Sequence, residues 1–205
     1  MKRIYWIIPL ILLASCSWGH RELPQLGQLP DFQLMDQDSQ KFTREDLDGK
    51  VWATNFIFTS CAGTCPLLTE RMKKVQKDLK KQVEPKVLAR IGIVSFSVDP
   101  ERDTPEVLSK YAKRYEIDQS QWRMITGPVQ EIENTVVGGF KIAMGKVPRT
   151  LDQEPENPAE FYDIVHGEKF LIVDSKGNIR GYYDATDAGM ITFTRDLIAL
   201  AKRNS

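Results

Sequence analysis

The chain of 205 residues carries 28 basic and 28 acidic side chains, so its formal net charge is zero, and 41% of its residues are hydrophobic. This length predicts one globular domain with an N-terminal appendage, and the hydrophobic fraction is ample for a single core. The balanced charge argues against a nucleic-acid partner, because non-specific nucleic-acid binding depends on clustered basic charge. Neither common glycine-rich phosphate-binding motif follows a predicted strand, so nucleotide binding has no support.

Residues 1–15 have the pattern of a signal peptide. Two basic residues come first, and the apolar stretch 4–14 is shorter than the ~20 residues that span a bilayer. The stretch ends in Leu13-Ala14-Ser15-Cys16, which resembles the bacterial lipobox and predicts a stable multi-acyl anchor on Cys16. An ordinary signal peptide with an incidental cysteine is the alternative. Both interpretations of the segment place the domain outside the cytoplasm. The lipobox further predicts a membrane-anchored lipoprotein of the bacterial cell envelope, facing the periplasm or the exterior.

Residues 16–30 are predicted to form a tether, because glycine and proline recur there with little periodicity. The folded domain is expected over residues 31–205. Two short strands near Phe32–Met35 and Lys41–Thr43 predict an N-terminal β-hairpin. The nearly unbroken apolar run Val51–Phe58 then predicts a strand buried on both faces.

Helical and strand patterns alternate after that run. Apolar residues at helical spacing from Leu67 to Leu79 predict a helix, and its interleaved lysines are interpreted as a solvated face rather than a docking patch. Further elements are expected, in chain order, as strand Ile91–Val98, a helix capped by Thr104, strand Trp122–Ile125, helix Val129–Val137, strands Phe140–Val147, Phe161–Val165, Lys169–Asp174 and Ile179–Tyr183, and helix Phe193–Lys202. This order predicts an α/β fold with a central mixed sheet flanked by helices, and an exposed inserted loop over residues 148–160.

The most informative feature is a pair of cysteines, Cys61 and Cys65, directly after the predicted strand Val51–Phe58. Since Cys16 has a separate use, this is the only pair available for thiol redox chemistry or a soft-metal site. Pro66 is favoured as the first residue of a helix, which predicts Cys65 at the N-cap and Cys61 in the preceding loop. The helix N-terminus is then expected to lower a thiol pKa and favour the thiolate, the form that binds metal and attacks disulfides.

Two thiolates select soft ions, and copper(I) is the one expected outside the cytoplasm. They leave room for a third ligand, for which histidine is the usual residue, and the chain has two histidines. His20 lies in the predicted tether, whereas His166 lies in a predicted loop between two strands that can face the cysteines. His166 is therefore the predicted third ligand, with an incidental loop histidine as the alternative.

Three separated segments resemble the Sco (SenC/PrrC) proteins, and they cover the chain from about Pro30 to its end in the family's order. They are Phe56–Pro66 (FIFTSCAGTCP), Phe96–Pro105 (FSVDPERDTP), and His166 ahead of Phe170–Asp174 (FLIVD). The resemblance implies a thioredoxin-like fold and a membrane-anchored copper chaperone for cytochrome c oxidase assembly. The family's copper ligands match Cys61, Cys65 and His166.

The second of these segments implies that Asp99 lies near the site and orients or polarises the ligands. The alternative is an aspartate that caps a turn after a strand. The chain departs from many relatives at Ala62, where proline is frequent, and at Gly167-Glu168, where serine or threonine is frequent. Neither departure removes a predicted copper ligand, although Glu168 is expected to affect how a partner protein docks.

Two functions of different classes depend on the same residues. In the first, a metallochaperone holds copper on Cys61, Cys65 and His166 and passes it to the CuA centre of an oxidase subunit, with a periplasmic copper donor or thiol reductase as a further partner. In the second, an enzyme uses the two thiols as a thiol–disulfide oxidoreductase that reduces the cysteines of the oxidase subunit or another periplasmic protein. The three residues between the cysteines, where thioredoxin-like reductases have two, favour the first.

Two other functions for the cysteine pair have less support. A peroxidase site requires serine or threonine three residues before its cysteine, and Phe58 stands there instead. A purely structural disulfide is also disfavoured, because closing so short a loop adds little stability.

Overall fold

The computed structural model describes residues 22–61, 63–148, 162–166 and 168–203, with the backbone alone for residues 146–148 and 162–166. An eight-stranded mixed sheet forms the centre of the domain. Its strands are, in spatial order, β1 (Gly27–Gln28), β10 (Asn178–Asp184), β9 (Lys169–Val173), β4 (Val51–Ile57), β5 (Ile91–Ser97), β6 (Trp122–Thr126), β2 (Gln33–Asp36) and β3 (Lys41–Thr43). The β4, β5 and β6 strands are parallel, and the other pairs are antiparallel.

A separate antiparallel hairpin consists of β7 (Met144–Pro148) and β8 (Tyr162–His166). The predicted mixed sheet is confirmed, and so are its N-terminal hairpin of β2 and β3 and the inserted hairpin. Most of the predicted inserted loop, residues 149–160, lies outside the described residues.

The helices are α1 (Thr64–Gln82), α2 (Pro85–Leu88), α3 (Pro105–Arg114), α4 (Val129–Glu133) and α5 (Asp187–Arg203). A 3-10 turn covers Arg44–Leu47, and a π-helical turn covers Asn134–Gly139. Thr104 caps α3 as predicted, because its Oγ1 accepts a hydrogen bond from the Val107 backbone N–H at 3.3 Å. No helix in the described ranges is long and apolar enough to cross a membrane.

Helices α1, α3 and α5 cover one face of the sheet. The Thr69 and Tyr111 hydroxyls share a hydrogen bond of 2.7 Å between α1 and α3, and Arg71 pairs with Asp187 at 2.7 Å between α1 and α5. Aromatic side chains fill the opposite face, with ring centroids 5.0–6.3 Å apart; they are Phe32, Phe42, Phe56, Phe96 and Phe140. Burial on both faces explains why all seven residues of β4 are buried and why its sequence is apolar apart from Thr54 and Asn55.

The N-terminal part of the described chain differs from the prediction. The predicted tether covers residues 16–30, yet within this range β1 pairs with β10 and Leu29 is buried in the core. The Leu26 backbone N–H donates to the Ile179 carbonyl at 2.8 Å. Such a short strand has no periodicity of its own, so only its pairing partner reveals it.

The last helix begins six residues earlier than predicted, at Asp187 rather than Phe193. Thr186 caps it, since its Oγ1 accepts a hydrogen bond from the Gly189 N–H at 3.1 Å. A Cβ at Gly189 would lie 2.2 Å from the Asp184 carbonyl oxygen. Gly189 weakens the helical pattern in the sequence, but it is required because the end of β10 approaches the helix closely at this position.

Candidate metal-binding site

The loop between β4 and α1 positions both cysteines. Helix α1 begins at Thr64, with Gly63 as its N-cap, so Cys65 lies in the first turn. The prediction that Pro66 starts the helix was wrong by two residues. Proline is tolerated here because the first four N–H groups of a helix have no partner within the helix.

The two thiols lie side by side without a disulfide bond between them. Cys65 is completely buried, whereas Cys61 is half-buried. Their side chains are within hydrogen-bonding reach of each other. The Cys61 backbone N–H donates to the Phe58 carbonyl at 3.3 Å, which folds the loop back on the end of β4. One thiol is thus accessible from solvent and the other is held behind it.

The pKa of the Cys65 thiol differs from the prediction. Burial raises this pKa well above its ordinary value, and the neighbouring Cys61 and Asp103 raise it further, while a hydrogen bond from the Phe58 backbone opposes the shift. The helix N-terminus was expected to lower a thiol pKa. For Cys65 the loss of hydration outweighs that effect, because a charged sulfur in an apolar setting is poorly solvated. Without a metal, Cys65 is a neutral thiol.

Asp103 is a site residue that the sequence reasoning missed. Its carboxylate is completely buried and accepts hydrogen bonds from the Thr59 Oγ1 at 2.5 Å and the Ser97 Oγ at 2.6 Å. The Thr59 backbone N–H also donates to both carboxylate oxygens, at 3.2 and 3.1 Å. Burial raises the pKa of Asp103. This carboxyl group ties the loop before Cys61 to the loop after β5.

Asp99, the predicted orienting residue, is also buried. Its carboxylate forms an ion pair with Arg102, and its backbone N–H donates to the Ser97 Oγ at 3.0 Å. The Asp99 carbonyl accepts hydrogen bonds from the Arg102 and Asp103 backbone N–H groups, at 3.1 and 2.9 Å. These contacts order the loop that carries Asp103, and a direct role for Asp99 toward the ligands stays a prediction.

His166 ends β8, where its backbone lies opposite Met144 of β7. Met144 and Gly145 line a cleft together with Val98–Glu101 and α4. The inserted hairpin therefore lies over the same loop that holds Asp99 and Asp103. His20 and Cys16 lie outside the described residues. Among the described side chains, which exclude the His166 imidazole, no group of three or more metal-ligating residues occurs.

A mixed sheet whose central strand β4 leads through a dithiol loop into helix α1 is typical of a thioredoxin-like domain with a paired-thiol site. The family model described as SCO1/SenC matches residues 22–201. The chain belongs to this family. A SCO1 protein homolog of Bacillus subtilis strain 168 is 33% identical over 181 residues, which is 87% of this chain and 86% of the relative.

Solved structures agree with this assignment. A SCO1/SenC family lipoprotein from Bacillus anthracis strain Ames matches with a TM-score of 0.70 at 30% identity, over 88% of this chain and 98% of its own. BsSco, described as a Sco family cytochrome c oxidase assembly protein with a disulfide switch, matches with a TM-score of 0.68 at 28% identity, over 88% and 97%. Bradyrhizobium japonicum ScoI, solved with copper bound, shares the fold at 22% identity and a TM-score of 0.68, over 84% and 99%. The predicted thioredoxin-like fold is confirmed.

Proposed function

We propose that this protein is a lipid-anchored, extracytoplasmic copper metallochaperone that delivers copper to the CuA site of cytochrome c oxidase during assembly. The observation that carries the proposal is the pair of reduced thiols, Cys61 and Cys65, within reach of each other in an open loop. Thiolate donors select soft ions such as copper(I). BsSco, a relative by fold and sequence, is described as an oxidase assembly protein, which supports this partner.

The burial of Cys65 determines how the cargo is held. A thiol ligand must lose its proton to bind metal, so a thiol with a raised pKa stays neutral until the metal cation displaces the proton. The positive end of α1 then faces the new thiolate and helps to stabilise it. Cys65 is therefore the retained ligand of the pair, and its burial protects the neutral thiol from oxidation between deliveries.

His166 is the proposed third ligand. It ends β8, and the β7 strand paired with it contributes Met144 to the cleft beside the Asp99 loop. Imidazole is a good ligand for copper in both oxidation states. Two sulfurs and one nitrogen leave the coordination incomplete, so a ligand of the acceptor protein has room to join before a ligand of the donor leaves.

Transfer then begins at Cys61. This thiol is the half-exposed one, so an acceptor cysteine reaches the metal from its side. The partners in this scheme are the oxidase subunit that carries CuA, a periplasmic copper donor or thiol reductase, and the membrane through a lipid on Cys16. The description of the Bacillus anthracis relative as a lipoprotein supports the anchor.

A second function, thiol–disulfide exchange, is favoured by the same arrangement of one accessible and one buried thiol. The Cys61 thiolate would attack a partner disulfide, form a mixed disulfide and release one partner thiolate. The Cys65 thiol would then give its proton to that released thiolate and attack the Cys61 sulfur, which breaks the mixed disulfide, releases the second partner sulfur and leaves a Cys61–Cys65 disulfide. The partner gains two electrons, and an external thiol reductant restores the pair.

Replacing His166 separates these two functions. In His166→Ala, copper(II)–thiolate absorption should be lost or altered and copper binding weakened, because one of three ligands is gone and imidazole suits copper(II) better than copper(I). Cells with this variant should fail to assemble CuA. Thiol oxidation kinetics should change little, because disulfide exchange needs only the two cysteines. Absorption spectra, thiol kinetics and oxidase activity in cells provide these measurements.

The chain's other histidine is the matched control. His20→Ala should keep the copper spectra and the oxidase activity, since residue 20 precedes the folded domain. If His166→Ala also keeps both, then His166 is not a ligand, and the thiol–disulfide oxidoreductase becomes the better account.

A further inference from the structure

The described chain is fixed to the sheet from its first residues onward. The Arg180 guanidinium donates to the Leu23 carbonyl at 2.5 Å and to the Pro24 carbonyl at 3.1 Å. Arg180 is itself held by Asp174 at 2.9 Å. Leu23 therefore has a defined position at the edge of the domain, beside β10.

Little free chain separates this position from the predicted lipid anchor. Only seven residues lead from Cys16 to Leu23. A chain reaches at most ~3.3–3.6 Å per residue, so the whole segment spans no more than about 25 Å. A lipid on Cys16 would keep the part of the domain around Leu23 close to the bilayer.

Leu23 and Pro24 line a groove between α1 and α5. These two helices carry nine Lys or Arg residues and four Asp or Glu residues, although the whole chain is neutral. We call their outer surface the basic face. The charged residues of these helices that line the groove are the basic Arg71, Lys74, Arg195, Lys202 and Arg203 and the acidic Asp78, Asp187 and Asp196. An excess of positive charge thus lies on the side where the tether arrives.

The basic face also exposes apolar side chains. Ile191 of α5 lines the groove and is 71% exposed. Leu67 of α1 is 52% exposed and lies seven residues before Lys74, which is about two helical turns along the same stripe. Lysines and arginines around exposed apolar residues are the composition that helices use to lie on an anionic membrane surface.

We propose that the basic face docks on the anionic phospholipid headgroups of the bilayer that holds the lipid anchor. This inference rests on the lipid anchor at Cys16 in the proposed function. Tether length brings the face to the bilayer, and charge complementarity orients it there. Since the cysteine loop directly precedes α1, docking places the thiols beside the membrane surface, where a membrane-bound acceptor is accessible.

The test uses the full lipidated chain, reconstituted in vesicles of phosphatidylcholine alone or with phosphatidylglycerol added. Vesicle flotation verifies the anchor, and a pulse of water-soluble amine acetylation, read by mass spectrometry, measures the accessibility of individual lysines. Lys77 and Lys202 should acetylate about fivefold more slowly on the anionic vesicles. Contact of one lysine with an anionic surface increases the membrane affinity by roughly that factor. Lys41, on the edge strand β3, and Lys141, next to Phe140 on the opposite face of the sheet, should not change. In ~1 M salt the difference should disappear, because screening then acts within about 3 Å.

Two charge-reversal variants control the experiment. Lys74→Glu combined with Lys81→Glu should abolish the protection of Lys77 and Lys202. Lys41→Glu combined with Lys141→Glu should retain it. The pairs are matched, because each reverses two charges on exposed lysines and only the first pair lies on the basic face.

Three outcomes would overturn the proposal. Equal acetylation on both vesicle types would show that headgroup charge does not orient the domain. Protection that appears on neutral vesicles only after the oxidase subunit is added would assign the basic face to an acidic protein. A chain that fails to float with either vesicle type lacks the lipid anchor, and this result overturns the docking proposal together with the proposed anchor. Copper content, measured on the same samples, reports on the metallochaperone function separately.

Discussion

Burial separates Cys61 and Cys65, which the sequence presents as equivalent. Cys61 is half-buried, whereas Cys65 is inaccessible and has a pKa raised by the loss of hydration. Since the thiolate is the reactive form, the two sulfurs should differ in rate toward any electrophile. Cys61 should therefore react with a partner protein first, and Cys65 should react only afterwards.

Alkylation measures this difference directly. With limiting iodoacetamide at neutral pH, Cys61 of the reduced protein should react at least about tenfold faster than Cys65, because Cys61 is accessible whereas Cys65 is buried and has a raised pKa. Mass spectrometry of the digested protein gives the two rates. Cys65→Ser should retain the fast reaction and Cys61→Ser should leave only the slow one. Equal rates would mean that the loop opens in solution and that the burial of Cys65 is not maintained.

The site was only partly predictable from the sequence. The cysteine pair was evident because the chain has three cysteines and two of them closely follow the apolar run Val51–Phe58. Asp103 was not, because its role depends on Thr59, 44 residues away, and on Ser97 of the neighbouring strand. The only signal was a second aspartate four residues after Asp99, just before the helix cap. A lowered thiol pKa was expected at the helix N-terminus, whereas the Cys65 pKa is raised, since sequence does not reveal how completely a residue there is buried.

Among the elements, β4 and β5 form the centre on which the cysteine loop depends. In their parallel register Gly92 lies opposite Trp52, and a Cβ at Gly92 would come within 2.5 Å of the Trp52 ring. The Trp52 Nε1 donates to the Leu47 carbonyl at 2.8 Å, which limits the freedom of the indole to move away. Glycine is therefore required at position 92 by a side chain of the neighbouring strand.

Gly92→Ala should lower the free energy of unfolding by about 1–3 kcal/mol, the usual cost of overpacking a core. Gly138→Ala is the matched control, because a Cβ there has no neighbouring atom within 4 Å, and its effect should stay within about 0.5 kcal/mol. Denaturant titration of the reduced protein compares them. Equal stabilities for the two variants would contradict the packing of Trp52 on β5.

The elements were predicted best where one pattern continues over many residues. Strands β4 and β5 and helix α1 all have long apolar runs or stripes, and each was predicted within a few residues of its bounds. Strand β1 was missed because two residues cannot show a period. The residues after Glu133 form a π-helical turn rather than a continued helix, a difference in hydrogen bonding that apolar spacing does not report.

At the scale of the whole molecule, the proposed function assigns the lipid anchor and the metal site to different cysteines. The described part of the chain is tied to the sheet at Leu23, while Cys61 lies just before α1 and Cys65 in its first turn. Loss of one function should therefore leave the other intact.

Cys16→Ala tests this independence in a bacterial host. The variant should leave the membrane fraction, because its acyl chains are gone, and its copper binding should be unchanged. Cys61→Ala is the control that should stay with the membranes. Fractionation after a salt wash and metal analysis give the two readouts. If Cys16→Ala still partitions with membranes, then residues 4–14 act as an uncleaved anchor and the lipobox interpretation is wrong.

The central claim is that Cys61 and Cys65 together hold copper, and the copper content of the reduced, anaerobically purified protein tests it most directly. We expect one copper ion per chain, and we expect Cys61→Ser and Cys65→Ser each to abolish tight binding, because a hydroxyl is a poor ligand for copper(I). Cys16→Ala serves as the control that retains the metal. An unchanged copper content in either serine variant would contradict the site and, with it, the proposed function.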